Sequence, residues 1–357
     1  MDYVPLIFFG FFRIWRFGET AAGRESDGWS GVQAGGNAVV RQDRIDNPKN
    51  IDMIEMEAAL LLERAGRRHG CLGDRMDVLG ISPASIYQGG MEMAKFGFIG
   101  MGNMGSAIMR GLLKVCAPSE LLFTDASKER REAVTAETGV AHVDSNAECV
   151  RRSKYVVLAV KPQVISHVFE DIRGELSSDQ IVISIVAGYA TEDLKAGLGD
   201  SVRIVRSMPN TPAMVGEGMT GVCYDDALFS DEEKETIHQF FASFGKMERV
   251  DEKLIDVVGS ASGCSPAYVY MFIEALADGC VKNGLPRQTA YRMAAQAVLG
   301  SAKMVLETGK HPGELKDMVC SPGGTTIEGL AALEECGFRG AIIKACDANY
   351  EKNKKLK

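Results

Sequence analysis

Phe96-Gly-Phe-Ile-Gly100-Met-Gly102-Asn-Met-Gly105-Ser-Ala-Ile108 is the stretch that decides the fold of this 357-residue chain. An apolar run of strand type, Phe96 to Ile99, leads into Gly100-x-Gly102-x-x-Gly105. Apolar residues then recur at helical spacing, at Ile108, Leu112 and Val115. The order of strand, glycine turn and helix says more than the glycines alone. Gly100 permits a tight turn, Gly102 lets a pyrophosphate approach the backbone, and Gly105 lets the helix lie close to the strand. The helix N-terminus then faces the anion. The ligand this arrangement fits is a dinucleotide.

Outward from the motif, strand and helix patterns alternate. Strands are predicted at Lys95–Ile99, Leu121–Thr124, Tyr155–Val160, Ile181–Val186, Val202–Arg206, Thr220–Cys223 and Lys246–Val250. Several are short continuous apolar runs, as strands buried on both faces of a parallel sheet require. Helices are predicted between them at Ser106–Val115, Lys128–Thr138, Asn146–Arg152, Ile165–Glu170, Thr191–Leu198 and Asp231–Phe244, the last opened by a Ser230-x-x-Glu233 capping box. The alternation reads as an α/β domain over residues 93–250, with a doubly wound sheet. Beyond Asp251 the strand signals stop, and Leu254–Ala261, Pro266–Asn283, Arg287–Thr308, Pro312–Val319 and Thr326–Ala348 all read as helix. Residues 251–357 are therefore expected to form an all-α domain that buries part of its apolar surface in a dimer.

The motif usually opens its domain, yet here 92 residues precede Met93. They carry nine Arg against one Lys, whereas residues 93–357 carry twelve Arg against eighteen Lys, so the two parts read as different texts. Apart from Met53–Leu62 the first part shows no sustained period. Its aromatic opening, Tyr3–Phe17, is too short to span a bilayer and is interrupted by Arg13 and Arg16. Tyr87-Gln-Gly-Gly-Met91-Glu-Met93 can be encoded by a purine-rich stretch containing a ribosome-binding sequence. The expectation is that the natural start is Met93 and that residues 1–92 are translated leader; a disordered extension is the alternative.

Net charge is −8 and the only basic run is the short Lys352–Lys357 tail, which argues against nucleic acid as a partner. Nine cysteines, odd in number and without a CxxC pair, read as reduced thiols of a cytoplasmic protein. The five histidines show no ligand spacing, so no metal is expected.

Four further segments carry chemistry. Asp125 ends the second predicted strand twenty residues after Gly105, where a carboxylate can accept from a ribose and repel a 2′-phosphate; Thr124, Ser127 and Lys128 can donate to that phosphate instead. NAD and NADP both stay open, as does a plain helix cap. Ala159-Val160-Lys161-Pro162-Gln163 leaves a strand at the sheet edge where ligands bind, with Lys161 placed to meet ribose or phosphate oxygens and Pro162 holding the turn; a solvated lysine is the alternative. Ser207-Met208-Pro209-Asn210-Thr211-Pro212 is a rigid loop whose backbone and Asn210 amide can hold a carboxamide. Cys320-Ser321-Pro322-Gly323-Gly324-Thr325-Thr326 opens a helix with backbone N–H groups and hydroxyls, an anion cradle without any Lys or Arg.

Together these segments resemble the pyrroline-5-carboxylate reductase family, and the resemblance covers residues 93–357. It rests on Gly-Phe-Ile-Gly-x-Gly-Asn-Met, Ala-Val-Lys-Pro-Gln, Met-Pro-Asn-Thr-Pro, Ser-Pro-Ala-Tyr, Ala-Leu-Ala-Asp-Gly, Gly-Leu-Pro-Arg, His-Pro-Gly-Glu-Leu-Lys-Asp and Ser-Pro-Gly-Gly-Thr-Thr, in the family's order. The resemblance implies a Rossmann domain, a helical dimerisation domain, often an assembly of dimers, and NADPH- or NADH-dependent reduction of 1-pyrroline-5-carboxylate to proline. It implies that Gly100, Gly102, Asn103 and Met104 bind the pyrophosphate. Asn146, Ala159, Val160, Lys161, Pro162 and the Met208–Thr211 loop, with Asn210, would contact the rest of the cofactor, and Asp125 its adenosine ribose. Ser321, Gly323, Gly324 and Thr325 would hold the substrate carboxylate, and the Thr326 hydroxyl the ring nitrogen as the catalytic group. Four positions depart from the family pattern: Gly105 for alanine, Cys264 for serine, and Asp125-Ala126 for a polar and basic pair. A β-hydroxyacid dehydrogenase would share the opening motif, but its helix lysine has no counterpart in Gly259–Glu274.

Overall fold

The computed structural model describes residues 93–355 and three two-residue antiparallel strands, Phe12–Arg13, Gln33–Ala34 and Ala38–Val39. The chain divides at Gly90–Met91 into two units. Met53–Leu62, Tyr87–Met91 and most of the expected leader lie outside the described residues.

In the second unit eight strands form one sheet: β1 (Ala94–Ile99), β2 (Leu121–Thr124), β3 (Ala141–His142), β4 (Ser153–Leu158), β5 (Ile181–Ser184), β6 (Arg203–Met208), β7 (Gly218–Cys223) and β8 (Gly245–Arg249). Their spatial order is β8-β7-β6-β5-β4-β1-β2-β3. The six strands from β3 through β6 run parallel in the order 3-2-1-4-5-6 of a doubly wound dinucleotide-binding sheet. β7 joins antiparallel to β6 and is extended in parallel by β8. The continuous apolar runs explain the centre of the sheet: Val156, Val157 and Leu158 of β4 and Ile181, Val182 and Ile183 of β5 are all fully buried. β3 is the strand that sequence reading missed, since two residues display no period.

Helices α1 (Asn103–Leu112), α2 (Lys128–Thr138), α3 (Asn146–Arg151), α4 (Ile165–Ile172), α5 (Thr191–Leu198) and α6 (Asp231–Ala242) cover the two faces. Phe96 and Phe98 contribute to one buried cluster with Ile108, Met109 and Leu112 of α1 and Phe240 and Phe241 of α6. Leu158 and Ile204 pack with Ile165, Ile172 and Leu194 on the other face. The capping box forms as expected: Glu233 N–H donates to Ser230 Oγ at 3.2 Å and Ser230 N–H to Glu233 Oε2 at 3.0 Å.

After β8 the structure is helical. α7 (Ile255–Val258) runs into a π turn at Gly259–Gly263, closed by Cys264 N–H to the Gly259 carbonyl at 2.8 Å. Then follow α8 (Ser265–Lys282), α9 (Arg287–Thr308), α10 (Pro312–Val319), α11 (Thr325–Glu335) and α12 (Phe338–Asn353). The single helix expected over Thr326–Ala348 is thus two helices. Gly337 breaks it by taking φ +73°, a left-handed conformation that glycine adopts without steric cost. In α8 and α9 only Ala277, Ala290 and Ala294 are buried, while Tyr270, Met271, Met293 and Leu306 are 60–73% exposed. Among the described residues no helix is long and apolar enough to cross a membrane.

Candidate active site

The strand order reverses between β1 and β4, and the glycine turn lies at that switch point, where doubly wound sheets bind ligands. Gly100 takes φ +98° and packs against the turn after β4 so closely that an added Cβ would stand 2.9 Å from the Ala159 carbonyl oxygen and from Val160 Cγ1. A Cβ on Gly105 would overlap the Gly100 carbonyl, so α1 lies tight against the turn. Gly102 differs from both. It caps α1, and a Cβ there would meet nothing within 4 Å. The turn therefore presents bare backbone to open space at the N-terminus of a ten-residue helix, a fit for a pyrophosphate. Asn103 is exposed beside it, and half-buried Met104 packs on the core.

Asp125 staples this turn. Its Oδ2 accepts from Met101 N–H at 2.8 Å and its Oδ1 from Ser127 N–H at 3.0 Å. Sequence reading missed the two arginines that brace the same corner. Arg130 donates to the Met101 carbonyl (2.8 Å) and to Ser106 Oγ (2.7 Å), and Arg131 to the Asp125 carbonyl (2.6 Å). The available signal was a basic pair in the first turn of α2. Lys161 is exposed at the turn after β4, with Pro162 opening a short 3₁₀ turn. Asn146 starts α3 and donates to Asp171 Oδ2 at 2.8 Å.

Beside the ends of β5 and β6 opens a cleft of about 670 Å³. Ala187, Met208 and Pro209 form one wall, Gly259, Cys264 and Tyr268 the facing wall, and Asn349 and Lys352 of α12 an end. Asn210, 7% exposed, does not face open solvent: its Nδ2 donates to the Ser262 carbonyl at 3.0 Å and its Oδ1 accepts from Met219 N–H at 2.9 Å. Below the loop, Arg206 bridges Glu252 Oε1 (2.9 Å) and Asp256 Oδ1 (2.6 Å). Burial disfavours the Glu252 charge, but hydrogen bonds from Thr191 and the Arg206 guanidinium outweigh it and hold the carboxyl below its ordinary range. Burial and the adjacent Glu252 push the Cys223 thiol up to about 11, which makes it a poor nucleophile.

The Ser321–Thr326 loop sits elsewhere. It is largely exposed and does not line the cleft. Gly323 takes φ +67°, and Gly324 caps α11 beneath the Ser321 side chain, where a Cβ would overlap Ser321 Oγ. Gly324 N–H donates to the Ser321 carbonyl at 3.0 Å, so this backbone donor closes the turn and points inward. Thr325 and Thr326 occupy the first turn of α11, whose N–H groups have no partner within the helix. The structure thus brings the glycine turn, Asp125 and Ala159–Pro162 together, and Met208 with the π turn. The Ser321–Thr326 loop stands apart from both groups. Among the described residues no cluster of three His, Cys, Asp or Glu side chains is arranged to hold a metal ion.

Comparison with known proteins separates the same two halves. Residues 252–356 match the family model "Pyrroline-5-carboxylate reductase dimerisation", and residues 95–188 match "NADP oxidoreductase coenzyme F420-dependent". Pyrroline-5-carboxylate reductase of Escherichia coli is 47% identical over 264 residues, which span 73% of this chain and 98% of that protein. The Methanosarcina acetivorans enzyme of that name is 42% identical over 74% of this chain and 99% of its own. The Plasmodium falciparum pyrroline carboxylate reductase, solved with NADP bound, superposes with a TM-score of 0.67 at 36% identity, covering 75% of this chain and 99% of that one. The Streptococcus pyogenes 1-pyrroline-5-carboxylate reductase gives 0.68 at 34% identity, covering 74% and 99%.

Proposed function

The chain belongs to the pyrroline-5-carboxylate reductase family, and we propose that it reduces 1-pyrroline-5-carboxylate to L-proline, the last step of proline biosynthesis. The cofactor is a nicotinamide dinucleotide. When bound, its ring supplies a hydride to C5 of the cyclic C=N bond. The ring nitrogen takes a proton, and water can provide it because a free imine has near-neutral basicity. No strong side-chain acid is then needed, and positioning carries most of the rate.

The observation that carries the reading is Gly102, whose bare backbone opens onto the switch point of a 3-2-1-4-5-6 sheet. In this account Gly100, Gly102, Asn103 and Met104 hold the pyrophosphate. Ala159, Val160, Lys161 and Pro162, with Asn146, border the ribose and phosphate groups. Met208 and Pro209 flank the nicotinamide. Asp125 faces the adenosine ribose while its oxygens hold Met101 and Ser127; a carboxylate there favours tolerance of NADH besides NADPH. Ser321, Gly323 and Thr325 offer backbone N–H groups to the substrate carboxylate, Gly324 shapes their turn, and Thr326 Oγ1 bonds the ring nitrogen.

Because that loop stands apart from its own chain's cleft, the protein works as a homodimer in which the exposed faces of α8 and α9 are covered by a second copy. The cytoplasm is its proposed location, supported by eight unpaired cysteines among the described residues. The testing experiment is NAD(P)H oxidation with pyrroline-5-carboxylate, with proline identified as product; proline formed in step with oxidised cofactor is expected.

A further inference from the structure

We infer that Asn210 is a positioning residue matched to Pro266: its amide ties the two walls of the cleft together because Pro266 leaves a carbonyl there without a helical donor. The inference rests on the reductase reading for its kinetic arm. In a continuing helix the Ser262 carbonyl would accept from the N–H four residues on. That residue is Pro266, which has no N–H. The next N–H, of Ala267, goes to the Cys264 carbonyl at 3.1 Å, and the π turn uses Cys264 N–H on the Gly259 carbonyl. The Ser262 carbonyl is therefore without a helical donor, and in this half-buried turn an unpaired acceptor carries part of the cost of a buried one.

Asn210 fills it from across the cleft. Nδ2 reaches the Ser262 carbonyl at 3.0 Å, while Oδ1 accepts Met219 N–H at 2.9 Å and fixes the amide against β7. A side chain anchored at both ends acts as a spacer. On one side it follows directly on Met208 and Pro209, and on the other it grips the turn that carries Gly259 and Cys264, so it sets the distance between the walls. π turns often accompany functional sites, and here the irregular turn and the proline together expose the acceptor. The Met-Pro-Asn-Thr-Pro and Ser-Pro-Ala-Tyr segments thus form one device, although 52 residues separate the bonded pair.

The test compares Asn210→Ala, Pro266→Ala and the double variant in the full chain. Three quantities are measured: melting temperature, kcat/KM for pyrroline-5-carboxylate, and dissociation constants for NADPH and for ADP-ribose, which lacks the nicotinamide ring. A small misplacement of reacting groups costs on the order of 10²-fold, and Asn210→Ala should lower kcat/KM by about that factor. Both dissociation constants should shift together, by less than about threefold. Pro266→Ala should lower kcat/KM far less than Asn210→Ala, because the carbonyl's second lone pair can keep the Asn210 bond beside the new helical one. In the double variant the new N–H at position 266 satisfies Ser262 but not Met219 N–H, which Asn210 Oδ1 also served, so the melting temperature should recover in part while kcat/KM stays low. If Asn210→Ala alone does not accumulate, the double variant carries the kinetic test. Weakened NADPH with unchanged ADP-ribose would make Asn210 a carboxamide ligand and overturn the inference. Recovery of kcat/KM together with the melting temperature would reduce it to a structural bond, and additive melting shifts would remove the coupling. Absence of imine reduction by the unmodified protein would overturn the reductase reading instead, leaving the melting shifts to decide the tie.

Discussion

Arg206 and Glu252 form an ion pair of 2.9 Å in which the arginine side chain is 4% exposed and the carboxylate keeps contact with water. The pair links β6 to the segment that leads from the sheet into the helices, and Asp256 and Thr191 complete it. Arg206→Met should cost about 3 kcal/mol, the lower end for breaking a buried pair, because the two carboxylates left behind are partly hydrated. Glu252 titrates below its ordinary range in the folded chain. A depressed carboxyl stabilises the fold fully above its unfolded pKa, about 4.3, and loses that contribution as pH falls through the folded value. Urea unfolding of the unmodified chain and Glu252→Gln should differ most at pH 6–7 and converge as pH drops below about 4. A constant difference across that range would show that the Glu252 charge does not act.

Gly100 and Gly102 should respond in opposite ways to an added methyl group. Gly100→Ala meets the Ala159 carbonyl and is held at φ +98°, so it should lower stability by roughly 1–3 kcal/mol. Gly102→Ala meets open space and should leave the melting temperature nearly unchanged, while weakening cofactor binding by about tenfold or more. Thermal unfolding and fluorescence titration with NADPH separate the two. Equal cofactor affinity in Gly102→Ala would place the pyrophosphate elsewhere.

Thr326→Ala removes the hydroxyl assigned to the ring nitrogen and nothing that touches the dinucleotide. Turnover should fall on the order of 10²-fold, as when one preorganised donor is lost, with NADPH affinity nearly intact. Unchanged turnover would take Thr326 out of the mechanism.

Leu306 is 72% exposed on α9 and Met271 73% exposed on α8. A charge at either position, Leu306→Asp or Met271→Asp, should split the dimer and abolish turnover while sparing cofactor binding. Sedimentation and steady-state rates check this. A monomer with full activity would mean that the Ser321–Thr326 loop serves its own chain.

The fold is most legible in the sequence where the physics is local. Continuous apolar runs marked the central strands among the seven predicted, because parallel strands are buried on both faces, and Ser230-x-x-Glu233 marked a helix start because a cap bonds within four residues. Ala141–His142 escaped because two residues have no period. The break at Gly337 escaped because apolar residues continue on both sides, and a glycine reveals its φ only in the folded chain. In the site, the glycine turn was legible from its spacing together with the apolar run before it and the helical period after it. The carboxylate partners of Arg206 and the Ser262 partner of Asn210 were not, since they lie 46, 50 and 52 residues further on. One trace of the second was present: a proline four residues after Ser262 means a carbonyl seeking a donor.

The most direct measurement is the rate of NADPH and NADH oxidation, each recorded separately at 340 nm with the full chain and 1-pyrroline-5-carboxylate, with proline quantified in the same samples. Cyclic-imine-dependent oxidation is expected, with one proline formed for each cofactor oxidised and measurable turnover with both cofactors. Oxidation of neither cofactor, in protein that binds NADPH and is dimeric, would contradict it.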